Sequence, residues 1–352
     1  MFFLGLIFCK QYLSEKRANF SFDFFPLERP TLHSGEPIAF HQAFAYVRPM
    51  LRTLAFLAIF LLGYPLLSPA QDTPVELKLH WEPGHTYLQE SDTETTNFLT
   101  ALGKTSDQKM RVHQTTSITV DKTSAGQTEA KVLITSLLGE MSFEGKNFVF
   151  DSKNPGASSS QLQQVFGGSA GKGFTLVYDD KGNFVDAKDI GSMVTGGVEP
   201  DLASIATARQ LATLYRRSLE MGLPKIAVLP KDKWISDELV PFPQAGTVQV
   251  KLNAKFDGVV NREGHREAQI SFEGIMKSKP DKDSTGRDLT TERPVTFGEN
   301  SKVNGQVFFD LDRKTISLAV FAATIQLKVE GKAMPMHQQV TTRLVSMKPT
   351  AP

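Results

Sequence analysis

Five consecutive residues, Gly167-Gly168-Ser169-Ala170-Gly171, match G-x-S-x-G, the pattern that lifts a serine above a sheet as a hydrolytic nucleophile. That chemistry needs a strand running into the turn and a helix leaving it. The order here is reversed: 160–166 reads as a short helix and 172–178 as a strand, so a linker is expected and hydrolysis through Ser169 ranks last. The stretch also fails as a phosphate loop, because Phe166 stands where the first glycine belongs and Gly173 follows Lys172. A second constellation, Asp281, Asp283 and Thr285 with Gly286 and then Glu292, has the oxygen-ligand spacing of a calcium loop. Thr285 is a poor ligand, Asp288 occupies the usual aliphatic position, and the flanks 268–276 and 294–297 read as strands. A polar hairpin tip accounts for the same letters, and weak Ca²⁺ binding is the competing hypothesis.

The remaining chemistry-bearing residues give plainer readings. No two of His80, His85, His113, His265 and His337 fall at the i, i+4 spacing of a helical metal pair. Asp179-Asp180 and the pair Asp310 and Asp312 lie in turns, where carboxylates serve the backbone. Arg216-Arg217 fall near the end of a helix, where cations suit its dipole; a solvated face is expected, with ligand contact the alternative. Trp81 and Trp234 read as core anchors or pocket walls. No catalytic residue, metal site or cofactor is assigned.

The elements that position these residues follow from period-two alternation. Thr116, Ile118 and Val120 turn through 121–126 into Ala130, Val132 and Ile134. Phe174, Leu176 and Tyr178 precede the turn 179–182; Val248 to Phe256 turn through 261–264 into Ala268, Ile270 and Phe272; Val307, Phe309 and Leu311 return as Ile316, Leu318 and Val320. Near 321–323 the apolar phase slips, which predicts a β-bulge there. One segment breaks the pattern: 200–222 opens on Pro200-Asp201, repeats apolar residues at helical spacing and stops at Gly222 and Pro224. These features predict an α+β, mostly antiparallel β protein: a curved sheet or two β-meanders, about 75–186 and 230–348, around one central amphipathic helix.

The chain has 352 residues, 39 Lys plus Arg against 38 Asp plus Glu, and a single cysteine, Cys9. Near-neutral charge excludes nucleic-acid binding by bulk phosphate neutralisation, and one thiol excludes an internal disulfide framework. Residues 50–70 carry Arg52, an uncharged apolar run from Leu54 to Leu67, and Ser68-Pro69-Ala70, the plan of a secretory signal peptide cleaved between Ala70 and Gln71. Fourteen residues are too few for a permanent span. Residues 1–49, holding 9 of the 25 Phe and the cysteine, are read as an upstream extension. The expected mature chain, 71–352, is cysteine-free with 33 basic and 34 acidic side chains, and is placed in the periplasm or outside the cell.

Taken in order, Trp-Glu-Pro-Gly-His-Thr-Tyr at 81–87, the strand with Ile118 and Val120, Phe-Asp-Ser at 150–152, Tyr-Asp-Asp-Lys-Gly-Asn-Phe at 178–184, the helix, Leu-Pro-Lys-Asp-Lys-Trp at 229–234 and the hairpin from Phe308 resemble a bacterial family of exported β-rich proteins, the domain-of-unknown-function family six-two-six-three. Lys233 departs from the glycine-containing turn expected before Trp234. The resemblance implies export and a β-rich fold and transfers no catalytic residue. The reading is a non-enzymatic binding module for a small apolar or peptide ligand in the cell envelope. The alternative is a structural or assembly component with an envelope protein as partner; neither reading involves nucleic acid or a permanent membrane span.

Overall fold

The computed structural model describes residues 73–350 except 102–103, 124–125, 168, 189–207, 243–244, 283–284, 291–293 and 330. The extension and signal-peptide readings, cleavage at Ala70 and Gln71 included, lie outside the described residues, as do Gly168, Asp283, Glu292 and the first turns of the expected helix.

All thirteen strands belong to one antiparallel sheet. In chain order they are β1 (His85–Ala101), β2 (Lys104–Lys122), β3 (Thr128–Phe143), β4 (Lys146–Asp151), β5 (Gly173–Tyr178), β6 (Phe184–Lys188), β7 (Lys233–Phe242), β8 (Gly246–Arg262), β9 (His265–Ser278), β10 (Val295–Phe297), β11 (Ser301–Asp310), β12 (Thr315–Val329) and β13 (Lys332–Pro349). Among the described residues two α-helices, α1 (Ser160–Phe166) and α2 (Ala208–Glu220), and a single 3₁₀ turn (Pro155–Ala157) interrupt them. Side by side the order is β6-β5-β3-β2-β1-β13-β12-β11-β9-β8-β7, with β4 on β3 and β10 on β12. The chain therefore begins in the middle, meanders out to β6, crosses through α2 to the far edge at β7, and meanders back until β13 pairs with β1. The two expected meanders are halves of a single sheet.

Eleven strands abreast would span about 48 Å if flat. Yet α2, 13 residues and so about 20 Å long, touches β5 and β6 at one edge and β7 at the other. The sheet must curl until its edges approach, with the helix in the seam.

Alternation sets the inner face. Ile118 pairs with Val132 and Val120 with Ala130 as expected, and all four are buried. Phe256 opposes Ile270, and Ala254 opposes Phe272, in the other half. The expected bulge exists but sits earlier: the register shifts where Phe308 faces Leu318 and Phe309 faces Ile316, leaving Ser317 as the extra residue. Ala319, Phe321, Ala323 and Ile325 then line the inner face, and Leu318 and Val320 turn to the outer one. The apolar run hid the slip because both phases read as hydrophobic there.

The short helix appears where expected. Phe166 on α1 packs at 5.6 Å from Phe150 and over Gly139, where any Cβ would stand 2.7 Å from its ring. β4 keeps one free edge, and serines finish it: Ser159 and Ser158 hydroxyls accept the amides of Val149 and Asp151 at 2.9 and 3.0 Å.

Candidate functional site

The described part of the long helix is wedged between the two halves of the core. Ala212, Tyr215 and Leu219 pack into the first half with Phe174 and Tyr178, whereas Leu214 packs into the second with Val250 and Leu252. That explains the wide apolar face read from its sequence: the helix is buried on two sides. Gly222, at φ +78°, ends the turn that follows it, a left-handed conformation that glycine adopts without strain.

Beside the helix, in the seam between the sheet edges, opens a cleft of about 540 Å³. Its floor is Leu77, Leu214, Phe242, Val250, Leu252 and Met276, and Tyr178 and Phe184 form one wall. The segment from Val75 to Trp81 runs along it as a strap: Val75 bridges to Val228, Leu77 is 1% exposed, and Lys78 Nζ donates to Lys181 O at 2.7 Å and Asn183 Oδ1 at 3.1 Å. Volume and apolar lining fall in the range of small-molecule sites.

The rim is charged. Arg216 and Arg217 are not a solvated helix face: their side chains are 19% and 29% exposed. Arg216 Nη1 meets Glu220 Oε2 at 2.7 Å, and its guanidinium lies 4.8 Å from the Phe184 ring centre. Arg217 pairs with Glu238 of β7, and Lys225 Nζ reaches the same carboxylate at 3.1 Å. The Nε atoms of both arginines are buried without a hydrogen-bond partner. Burial, and then the neighbouring Arg216 charge, lower the Arg217 pKa from its ordinary value. Burial also pushes the hydroxyls of Tyr178 and Tyr215 upward.

A second inward feature gave no hydrophobic signal in the sequence. Along β1 the inward residues are Tyr87, Gln89, Ser91, Thr93, Thr95 and Asn97, every one buried. Gln108, Gln114 and Thr116 continue this polar band on β2, and Gln338 on β13. Tyr215 OH donates to Gln89 Oε1 at 3.1 Å and ties the helix to it. Thr93 Oγ1, Asn97 Oδ1 and Gln338 Oε1 have no partner.

The other sequence candidates disperse. Ser169 follows α1 and precedes β5; its amide donates to Phe166 O at 2.8 Å, so it closes the helix and no elbow forms. Lys282 bridges to Asp288, with Thr285 between them in sequence, and the Thr290 hydroxyl accepts the Asp281 amide at 2.9 Å. The described residues on either side are strand, β9 and β10, and no group of three metal-ligating side chains gathers among the described residues. Asp179 and Asp310 serve turns: Asp179 Oδ1 accepts the Asn183 amide at 2.7 Å, and Asp310 Oδ1 accepts the amides of Asp312 and Arg313 at 2.9 Å. His113 pairs with Asp92 on the outer face and His265 with Arg313, far apart in the sheet. Trp81 is a core anchor, 4% exposed and edge-on to Tyr87 at 5.1 Å, while Trp234 is half-buried against the other half of the core.

No family model matches the chain, and no curated protein matches it. Among solved structures, lipovitellin ("lipid-protein interactions in lipovitellin") is similar at a TM-score of 0.42 and 14% identity, over 78% of this chain and 26% of that one. This chain thus spans about a quarter of the lipovitellin chain. The translocator domain of autotransporter NalP from Neisseria meningitidis aligns at 0.21 and 11% identity, over 75% and 89% of the two chains. The MucA/MucB complex of Pseudomonas aeruginosa aligns at 0.14 and 10% identity, over 76% and 94%. Scores this low assign no activity or ligand to this chain. Among the described residues no helix is long and apolar enough to cross a membrane.

Proposed function

We propose that the protein is a non-enzymatic binding module that holds a small apolar ligand in the seam of its curled sheet. The observation that carries this reading is the cleft of about 540 Å³ whose floor is six apolar side chains drawn from the strap, α2, β7, β8 and β9. Burying an apolar chain there gains about 25 cal/mol per Å² removed from water. Export to the cell envelope through a leader cleaved before Gln71, and membership of the exported family six-two-six-three, belong to the same proposal. The alternative of assembly through free strand edges is disfavoured, because α2 stands against both β6 and β7 and serine hydroxyls take up amides on the free edge of β4.

Delipidated protein is expected to bind a neutral apolar fluorophore such as 1-aminoanthracene saturably, one per chain. Ser236, inward on β7 at the cleft, offers the control: Ser236→Trp should fill the space and abolish binding while leaving the circular dichroism spectrum unchanged. Non-saturable binding, or binding indifferent to that substitution, would overturn the reading.

A further inference from the structure

We infer that the ligand is a single-chain amphiphile with an anionic head, its chain on the apolar floor and its oxyanion at Arg216 and Arg217. This rests on the cleft reading above and goes further by naming the chemical class. The cleft lining holds four cations, Lys78, Arg216, Arg217 and Lys225, against three carboxylates, Glu76, Glu220 and Glu238, so it carries one positive charge in excess. Arg216 and Arg217 both line the cleft. An oxyanion supplies paired acceptors in the plane a guanidinium presents. A cationic head would be repelled by the excess positive charge, and a neutral alcohol would leave that excess unpaired. The cleft, about 540 Å³, suits one acyl chain better than the two of a phospholipid.

The shared chemistry is a chain ending in an oxyanion, either a carboxylate or a phosphate monoester. Isothermal titration at pH 8 with laurate, dodecyl phosphate and 1-dodecanol, all below their aggregation limits, separates the possibilities. Laurate or dodecyl phosphate, or both, should bind at least ten-fold more tightly than the alcohol, and whichever anion leads identifies the head. Arg216→Gln and Arg217→Gln should each reduce that preference to three-fold or less, and a circular dichroism spectrum like the parent's would show that the variants are folded. Equal affinity of wild-type protein for alcohol and anions would overturn the head-group inference and leave the cleft reading standing. Binding of none of the three would overturn both.

Discussion

Arg262 is joined to the buried Glu267 by two hydrogen bonds, Nε to Oε2 at 2.6 Å and Nη2 to Oε1 at 3.1 Å, and Nη2 also reaches Ser317 Oγ at 3.0 Å. Glu267 is 1% exposed, so removing its partner strands a charge away from water. Arg262→Met should therefore cost about 3–5 kcal/mol of stability by urea unfolding, and adding Glu267→Leu should recover most of the loss. A single variant as stable as the parent would sink this account. Ser317 is the bulged residue, and its hydroxyl also donates to Phe308 O at 3.0 Å, so one inserted residue supplies both a bend and a hydrogen-bond partner. The sequence reveals that a slip occurs but not where, because Leu318 and Val320 are as apolar as the residues that displace them from the inner face. Arg216 and Arg217 were read correctly as helical and wrongly as solvated. Phe184 of β6 lies against Arg216 and Glu238 of β7 against Arg217, both remote in sequence and invisible to local spacing.

At the scale of elements, strands with an apolar inner face were legible and strands with a polar one were not. β2, β3, β5, β8, β9, β11 and β12 announce themselves by alternation, whereas β1 runs Gln89, Ser91, Thr93, Thr95 and Asn97 along its buried side. Here hydrogen bonding to the neighbouring strands holds the segment, and period-two hydropathy is silent. The helix was legible by its spacing and stop, and its job as a wedge was not. Leu214, 7% exposed, anchors it to the second half. Leu214→Ala should cost about 2–5 kcal/mol and, by loosening α2, bare the edges of β6 and β7; light scattering at elevated temperature should rise before global unfolding. No change in scattering would show that the edges are protected in some other way. The β5–β6 turn depends on Asp179, whose carboxyl is held below the ordinary carboxylate range by hydrogen bonds from the Asn183 side chain and backbone. Its contribution is complete above the unfolded pKa of about 3.9 and is lost as pH falls through the lower folded value. Asp179→Asn should flatten the decline in urea midpoint between about pH 4 and pH 2; parallel declines would refute it.

For the whole molecule, β1 and β13 pair along almost their full lengths and join the halves without a break in hydrogen bonding. Each half carries one tryptophan, Trp81 in the first core cluster and Trp234 against the second. Single-tryptophan variants should report the same denaturant midpoint for both halves, and a separation of the two transitions would show that the halves unfold as independent units. Because the central pair joins residues 239 or more apart, folding is expected to be slow for a chain of this size. The same pairing makes the last strand a keystone. Until residues 332–349 leave the ribosome, β1 has an open edge and the sheet has no middle. A stop codon that removes only β13 would thus leave two half-sheets with long unsatisfied edges, whereas an insertion into 189–207, between β6 and α2, interrupts no strand pairing of the described sheet.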